Sequence, residues 1–233
     1  MTLLRSSTQP CLRNGKLERL EAKRFGKTYR PRTKVEDGEA SKFSSHPNEL
    51  WPQGFSPDGT IVVATEVNPG TLIDIVLLDA VGEVRSLLAS PFTENEPALS
   101  PDGRWLAYTS NESGEFEVYV RPFPNVNDQN WQVSTDGATA PAWGPNGREL
   151  FYLHGHEMVA VPVETEPSFR VGRPETLFLK QHLDFGWGRP YDVGADGRFL
   201  MVTPVSEDQL ETREIILVLN WFEELERLVP SQD

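Results

Sequence analysis

Cysteine is almost absent: Cys11 stands alone in 233 residues. A disulfide framework and an all-cysteine metal site are thereby excluded. Long apolar runs are missing too. The longest covers residues 215–219, five positions against the roughly 20 that a membrane-spanning helix needs. The opening MTLLRSSTQPCLRNGK has no apolar stretch of the kind that directs secretion, so the chain is expected in the cytoplasm. A periplasmic place would follow if it is a fragment of a larger exported or membrane-anchored protein. Basic residues are scarce beyond residue 50, where 11 Lys and Arg face 29 Asp and Glu, a net of −18. Residues 1–50 are the reverse, with 11 basic against 6 acidic, a net of +5. An acidic body repels phosphate backbones, which argues against nucleic acid as a partner of the main domain. The shift in composition, between Lys34 and Asp37, sets off residues 1–36 as a basic tail, read as disordered.

Turn-formers, by contrast, are plentiful. Gly 18 and Pro 19 together make 37 of 233 residues, which suits short strands joined by tight turns. Four segments align: FSPDG (55–59), LSPDG (99–103), WGPNG (143–147) and VGADG (193–197). Their closing glycines are 44, 44 and 50 residues apart. Proline presets φ, Asp or Asn caps its own backbone, and glycine accepts positive φ. The recurring residues Asp58 and Gly59, Asp102 and Gly103, Asn146 and Gly147, and Asp196 and Gly197 are therefore assigned a structural turn role. One carboxylate per repeat, spread around a ring, does not converge on a single ion.

The residues after each turn repeat as well. IVVA (61–64), WLAY (105–108), LFYL (150–153) and FLMV (199–202) are too short for helices and read as buried strands. A further strand comes next at residues 73–78, 117–123, 157–163 and 214–219. More polar strands close three of the units, at 84–88, 131–134 and about 176–179. Four strands in about 44 residues, repeated radially, predict an all-β fold: a β-propeller of four-stranded blades.

These residues carry a resemblance. The stretch SPDGRWLAYTSNESGEFEVYVRPFP (100–124) resembles the WD-like repeat of TolB-type β-propellers, as does its continuation through WQVSTDGATAPAWGPNGRELFY (131–152) and YDVGADGRFLMV (191–202). The resemblance covers about residues 37–230 and is similar to the C-terminal propeller fused behind some bacterial serine/threonine kinases. It implies an interaction platform rather than a particular chemistry. The family's rings usually have six or more blades, and four motifs are visible here. A closed small ring or part of a larger propeller are the two outcomes left open.

The ends bear on closure. Residues 39–44 are expected to complete the last blade beside 214–219, covering an edge that would otherwise recruit other chains. If the ring stays open, self-association is expected. Residues 220–233 read as a short C-terminal helix, with Asn220 and Glu223 as its capping box and Pro230 as its stop.

Catalytic patterns fare poorly in this frame. Asp184-Phe185-Gly186 spells a kinase tripeptide, but no glycine-rich loop, strand lysine or His-Arg-Asp loop accompanies it. No Gly-x-Ser-x-Gly elbow occurs. His154, His156 and Glu157 sit around a tight turn and read as solvated loop residues rather than a zinc pair. Trp105 and Trp143 fall in repeat columns and read as core. The basic stretch 12–34, with nine Lys and Arg against Glu18 and Glu21, could grip anionic lipid, nucleic acid or the acidic propeller itself. The reading that results is a non-enzymatic propeller without cofactor, binding a protein or peptide as a sensor or scaffold module, with residues 37–219 forming the blades. The alternative is the non-catalytic propeller portion of a split or truncated serine/threonine kinase or prolyl-oligopeptidase-type peptidase.

Overall fold

Short apolar runs separated by tight turns pair most readily with their chain neighbours, and that is the topology observed. The computed structural model describes residues 32–36, 39–42, 44–179 and 188–203. First come β1 (Arg32–Glu36) and β2 (Glu39–Lys42), which pair antiparallel with each other. The first blade is a meander of β3 (Glu49–Phe55), β4 (Val62–Asn68), β5 (Leu72–Leu78) and β6 (Val84–Leu88). The second repeats it with β7 (Glu94–Leu99), β8 (Trp105–Ser110), β9 (Glu117–Pro122) and β10 (Trp131–Gln132).

In the third blade, β11 (Thr139–Trp143), β12 (Glu149–His154) and β13 (Glu157–Glu164) lead to two partners of β13. These are the two-residue β14 (Arg170–Val171) at its far end and β15 (Glu175–Leu179) along its length. A fourth sheet holds β16 (Tyr191–Val193) and β17 (Phe199–Met201). All pairings are antiparallel and follow the aligned repeats. The kinase-like tripeptide, strand 214–219 and helix 220–233 lie outside the described residues.

Residues 39–42 do form a strand, and its partner among the described residues is β1; the expected partner, 214–219, lies outside them. One expectation needs adjustment. The outer strand of the second blade is shorter than residues 131–134, because Ser134 leaves the ladder with its backbone and keeps it with its side chain. Its hydroxyl oxygen accepts the Val118 N–H at 2.9 Å.

Stacking explains the hydrophobic pattern. The second and third strands of the first three blades are largely buried, whereas the outer strands β6 and β15 are mostly open to solvent. Between the first two blades lie Val63, Ile75, Leu77, Leu106, Tyr108 and Tyr119. Between the second and third lie Val118, Val120, Trp143, Leu150, Val159 and Val161. Phe169, from the loop after β13, wedges into this layer against Trp105 (5.1 Å) and Trp131 (5.3 Å). Met158 and Phe151 meet Tyr191 and Phe199 across the third boundary.

The turns also touch. Gly59, Gly103, Gly147 and Gly197 have φ of 68°, 70°, 69° and 78°, the left-handed region that glycine enters without strain. A Cβ on Gly103 would stand 3.3 Å from Pro57 Cδ in the preceding blade's turn, and one on Gly147 would stand 3.7 Å from Pro101 Cδ. The glycine thus serves both the turn and the spacing between blades. Gly103→Ala is expected to cost about 1 kcal/mol or more from backbone strain, with the Pro57 contact added to it. Gly147→Ala should cost less. Thermal melts decide: a Gly103→Ala protein melting with the parent would refute this geometry.

Candidate binding face

An antiparallel meander sends alternate connections to opposite edges of each blade. One edge carries the four small-Pro/Ala-Asp/Asn-Gly turns, and the other carries the β4–β5, β8–β9 and β12–β13 hairpins together with the starts of the inner strands β3, β7, β11 and β16. The eight turn residues are all on the first edge, one pair per blade, and do not meet at a common point. Asp58 accepts from the Ser56 hydroxyl at 2.5 Å, the Thr60 hydroxyl at 2.9 Å and the Thr60 amide at 3.1 Å. Asp102 accepts from the Ser100 hydroxyl at 2.6 Å, Arg104 Nε at 2.8 Å and the Arg104 amide at 3.1 Å. Asn146 accepts the Arg148 amide, and Asp196 accepts both the amide and Nε of Arg198. The Ser56 hydroxyl leads the Thr60 donors in holding Asp58 below the usual carboxylate range. At Asp102 partial burial pushes upward, and the Ser100 and Arg104 donors together outweigh it. The Arg198 amide does the most to lower Asp196.

The hairpin edge has a different chemistry. Segments 44–50, 66–74, 88–96, 109–118, 132–140 and 153–158 hold ten carboxylates: Glu49, Glu66, Asp74, Glu94, Glu96, Glu112, Glu115, Glu117, Asp136 and Glu157. They contain no Lys or Arg. Beside them at the start of β16 stands Arg189, which donates to the carbonyls of Tyr191 and Pro141 at 3.0 Å each. Arg85, Arg104, Arg148, Arg170, Arg173 and Arg198 belong to the turn edge or to the outer connections. Arg121 is rooted near that edge too, although its guanidinium reaches to 3.7 Å from Glu112.

Several of the ten are buried and tied to their own blade. Glu66 accepts from Asn48 Nδ2 at 2.6 Å and lies 2.5 Å from His46 Nε2. Glu117 accepts the Ser134 hydroxyl and, at 2.9 Å, the Gly137 amide. Asp74, 1% exposed, accepts from Asn68 and Thr71 with one oxygen, and its Oδ1 has no donor among the described residues. Glu94, 2% exposed, takes the Ser90 hydroxyl on one oxygen and leaves Oε2 without one. Burial raises the Glu94 carboxyl, and the charges of Asp74 and Glu112 add to the effect. Large apolar side chains stand out on this same edge: Leu72, Phe92, Phe116 and Leu179, with Leu72 at 60% and Leu179 at 72% exposure.

Hydrogen bonds at the inner strands join successive blades. Glu96 adopts φ +53° at a bulge in β7, and Ala140 adopts φ +58° at the matching bulge in β11. The Glu96 carboxylate accepts the Ala140 amide at 2.7 Å and the Thr109 hydroxyl at 2.8 Å. Tyr191, from the fourth sheet, donates its hydroxyl to the Ala140 carbonyl at 2.7 Å. Trp143 Nε1 donates back to the Ala98 carbonyl at 3.1 Å. The repeat alignment gives no hint of these ties, though the shared residue-Pro step (Glu96-Pro97, Ala140-Pro141) marks the bulges. His154 and Glu157 face each other across their hairpin, with Nδ1 3.6 Å from Oε2. Among the described residues no three His, Cys, Asp or Glu side chains form a metal-binding group, and no helix is long and apolar enough to cross a membrane.

No protein-family model matches the chain. The Tol-Pal system protein TolB of Hydrogenovibrio crunogenus is 31% identical over 91 residues, which is 39% of this chain and 21% of that protein. The crystal structure of TolB from Acinetobacter baumannii superposes with a TM-score of 0.59 at 17% identity, covering 77% of this chain and 44% of that one. A Mycobacterium tuberculosis puromycin-hydrolyzing peptidase superposes with a TM-score of 0.55 at 21% identity, covering 74% and 31%. The chain thus spans less than half the length of each of these relatives. Its fold is that of the TolB-type β-propeller.

The bonds described generate two outcomes. Glu96→Ala strands the buried Ala140 amide and should cost about 1–3 kcal/mol in urea unfolding, whereas Glu96→Gln, which keeps an acceptor, should cost less. An unchanged midpoint for Glu96→Ala would remove the inter-blade role. The lowered carboxyls of Asp58 and Asp102 contribute stability that is fully present above about pH 4, their unfolded-state range, and is lost as pH falls through the folded values. Asp58→Asn/Asp102→Asn should therefore flatten the acid limb of the stability curve. Parallel acid limbs for variant and parent would contradict it.

Proposed function

Taking a TolB-type β-propeller as the premise, we propose that this chain is a non-catalytic binding module that engages a protein or peptide partner on its hairpin edge. The observation that carries the reading is the partition between edges. Aspartates on the turn edge are occupied by local amides, hydroxyls and arginines, whereas the hairpin edge combines ten carboxylates with protruding Leu72, Phe92, Phe116 and Leu179. Exposed apolar groups rimmed by charge are the usual makings of a protein interface. The buried carboxylates of this edge, Glu66, Asp74, Glu94 and Glu117, bond to amides and hydroxyls of their own blades, an arrangement that supports scaffolding rather than acid–base chemistry. A place outside the inner membrane belongs to the same proposal, on the strength of the likeness to TolB, and the identity of the partner would reveal the compartment.

A second reading is favoured by one observation. The chain covers 74% of itself but 31% of the similar peptidase, the proportions of a propeller within a larger enzyme. In that reading it is the non-catalytic portion of a peptidase or of a serine/threonine kinase, and an adjacent reading frame for either catalytic domain would favour it.

The test uses a photo-crosslinking amino acid at Phe116 on the hairpin edge and, separately, at the exposed Val81 on the turn edge, each in the full chain in its native cell. A defined partner captured from position 116 and not from 81 is expected. Capture from 81 alone, or the same products from both, would overturn the assigned face.

A further inference from the structure

The four turn motifs differ at one chemically consequential position. Asp58, Asp102 and Asp196 carry a carboxylate where the third turn carries the side-chain amide of Asn146. Among the described residues Asn146 is the one asparagine followed by glycine. In such a step no Cβ on the second residue stands between its main-chain nitrogen and the asparagine side chain.

The fold leaves this step open to water. Pro145, Asn146 and Arg148 are exposed, and Gly147 is half-buried. Two turn bonds hold it: the Gly147 N–H donates to the Gly144 carbonyl at 2.9 Å, and the Arg148 N–H donates to Asn146 Oδ1 at 2.8 Å. One bond of this kind shifts an equilibrium by about tenfold at most. Releasing both therefore slows a reaction at the Asn146 side chain by about a hundredfold at most, a delay rather than a block.

The surroundings already suit a carboxylate. Residues 144–148 read Gly-Pro-Asn-Gly-Arg and residues 194–198 read Gly-Ala-Asp-Gly-Arg, with the second glycine at φ 69° and 78°. Both turns make the same two bonds. In the fourth turn Arg198 Nε lies 2.5 Å from Asp196 Oδ2, and in the second Arg104 Nε lies 2.8 Å from Asp102 Oδ2. Arg148 occupies the matching place in the third turn, and its guanidinium has no carboxylate partner among the described residues.

We propose that Asn146 is a site of spontaneous deamidation in the folded chain, and that its aspartate product pairs with Arg148 as Asp196 pairs with Arg198. The Gly147 nitrogen, its proton lost to hydroxide, attacks Asn146 Cγ. A C–N bond forms, the Cγ–Nδ2 bond breaks, and Nδ2 leaves as ammonia with a proton taken from water. A second water opens the cyclic imide. Attack at Cγ restores the main chain and leaves aspartate, whereas attack at the main-chain carbonyl carbon leaves isoaspartate. The sum is one water consumed and one ammonia released, with nothing oxidised or reduced. The aspartate product keeps the turn and adds a negative charge to the turn edge; isoaspartate lengthens the main chain within it.

The full chain, kept folded at mildly alkaline pH as judged by circular dichroism, is peptide-mapped by mass spectrometry over time beside a free peptide of residues 140–152. Amide-to-acid conversion at position 146 is expected, at a rate within about a hundredfold of the peptide's and ahead of every other described asparagine. A slower rate, or faster conversion at an asparagine followed by a larger residue, would overturn the site. The pairing is read separately on the Asn146→Asp chain by NMR titration. The carboxyl at position 146 should titrate lower with Arg148 present than in the Asn146→Asp/Arg148→Met chain, whose main-chain amide is unchanged. Identical titration in the two chains would overturn the pairing.

Discussion

A sheet whose middle strands are apolar on both faces cannot be stable alone, and this constraint organises everything else in the molecule. Leu106, Ala107 and Tyr108 run consecutively through one strand, so alternate side chains leave both faces needing cover. The second and third blades therefore bury one face against the blade before and the other against the sheet after. The outer strands are released from that demand, which is why β6 and β15 tolerate exposed residues. At the turns Gly103 leaves room for Pro57 of the preceding blade.

Hydrophobic stacking is not directional, so polar bonds fix how successive blades sit. Glu96 and Ala140 both occupy a conformation that costs an ordinary residue on the order of 1 kcal/mol or more. The cost is offset at the same place. The bulge turns the Ala140 amide toward Glu96 and leaves its carbonyl for Tyr191, so both backbone groups of one buried residue join neighbouring blades. Trp143 combines the two principles: its ring fills the layer between blades, and its N–H bonds the Ala98 carbonyl.

With the faces spent on stacking, charge is left to the edges and outer strands. The two edges then diverge. Turn aspartates are saturated by the loop that bears them, so they stabilise the fold and offer little to a partner. On the hairpin edge Glu66, Asp74, Glu94 and Glu117 are held by their own blades, whereas Glu115 and Asp136 stand exposed, and apolar groups protrude beside them. Such an edge retains unspent electrostatic and apolar free energy, the physical basis for assigning recognition to it.

Turn chemistry is local, and it was readable residue by residue. Proline, Asp or Asn, and glycine within five positions dictate a turn whatever surrounds them, and the apolar runs between turns dictate strands that pair with their neighbours. The blades, their order and the positive φ of Gly103 all stem from contacts between residues close in the chain. The ties between blades join residues 44, 45, 48 and 51 positions apart, about one repeat, and no short-range pattern specifies them. Nor could the sequence foresee that residues 39–42 would pair with 32–36, or that Phe169 would leave its own loop to fill a layer between tryptophans. The acidic edge is the clearest case. Its ten carboxylates are scattered over more than a hundred residues of sequence, and only the direction of each strand, which the packed meander decides, brings them to the same side.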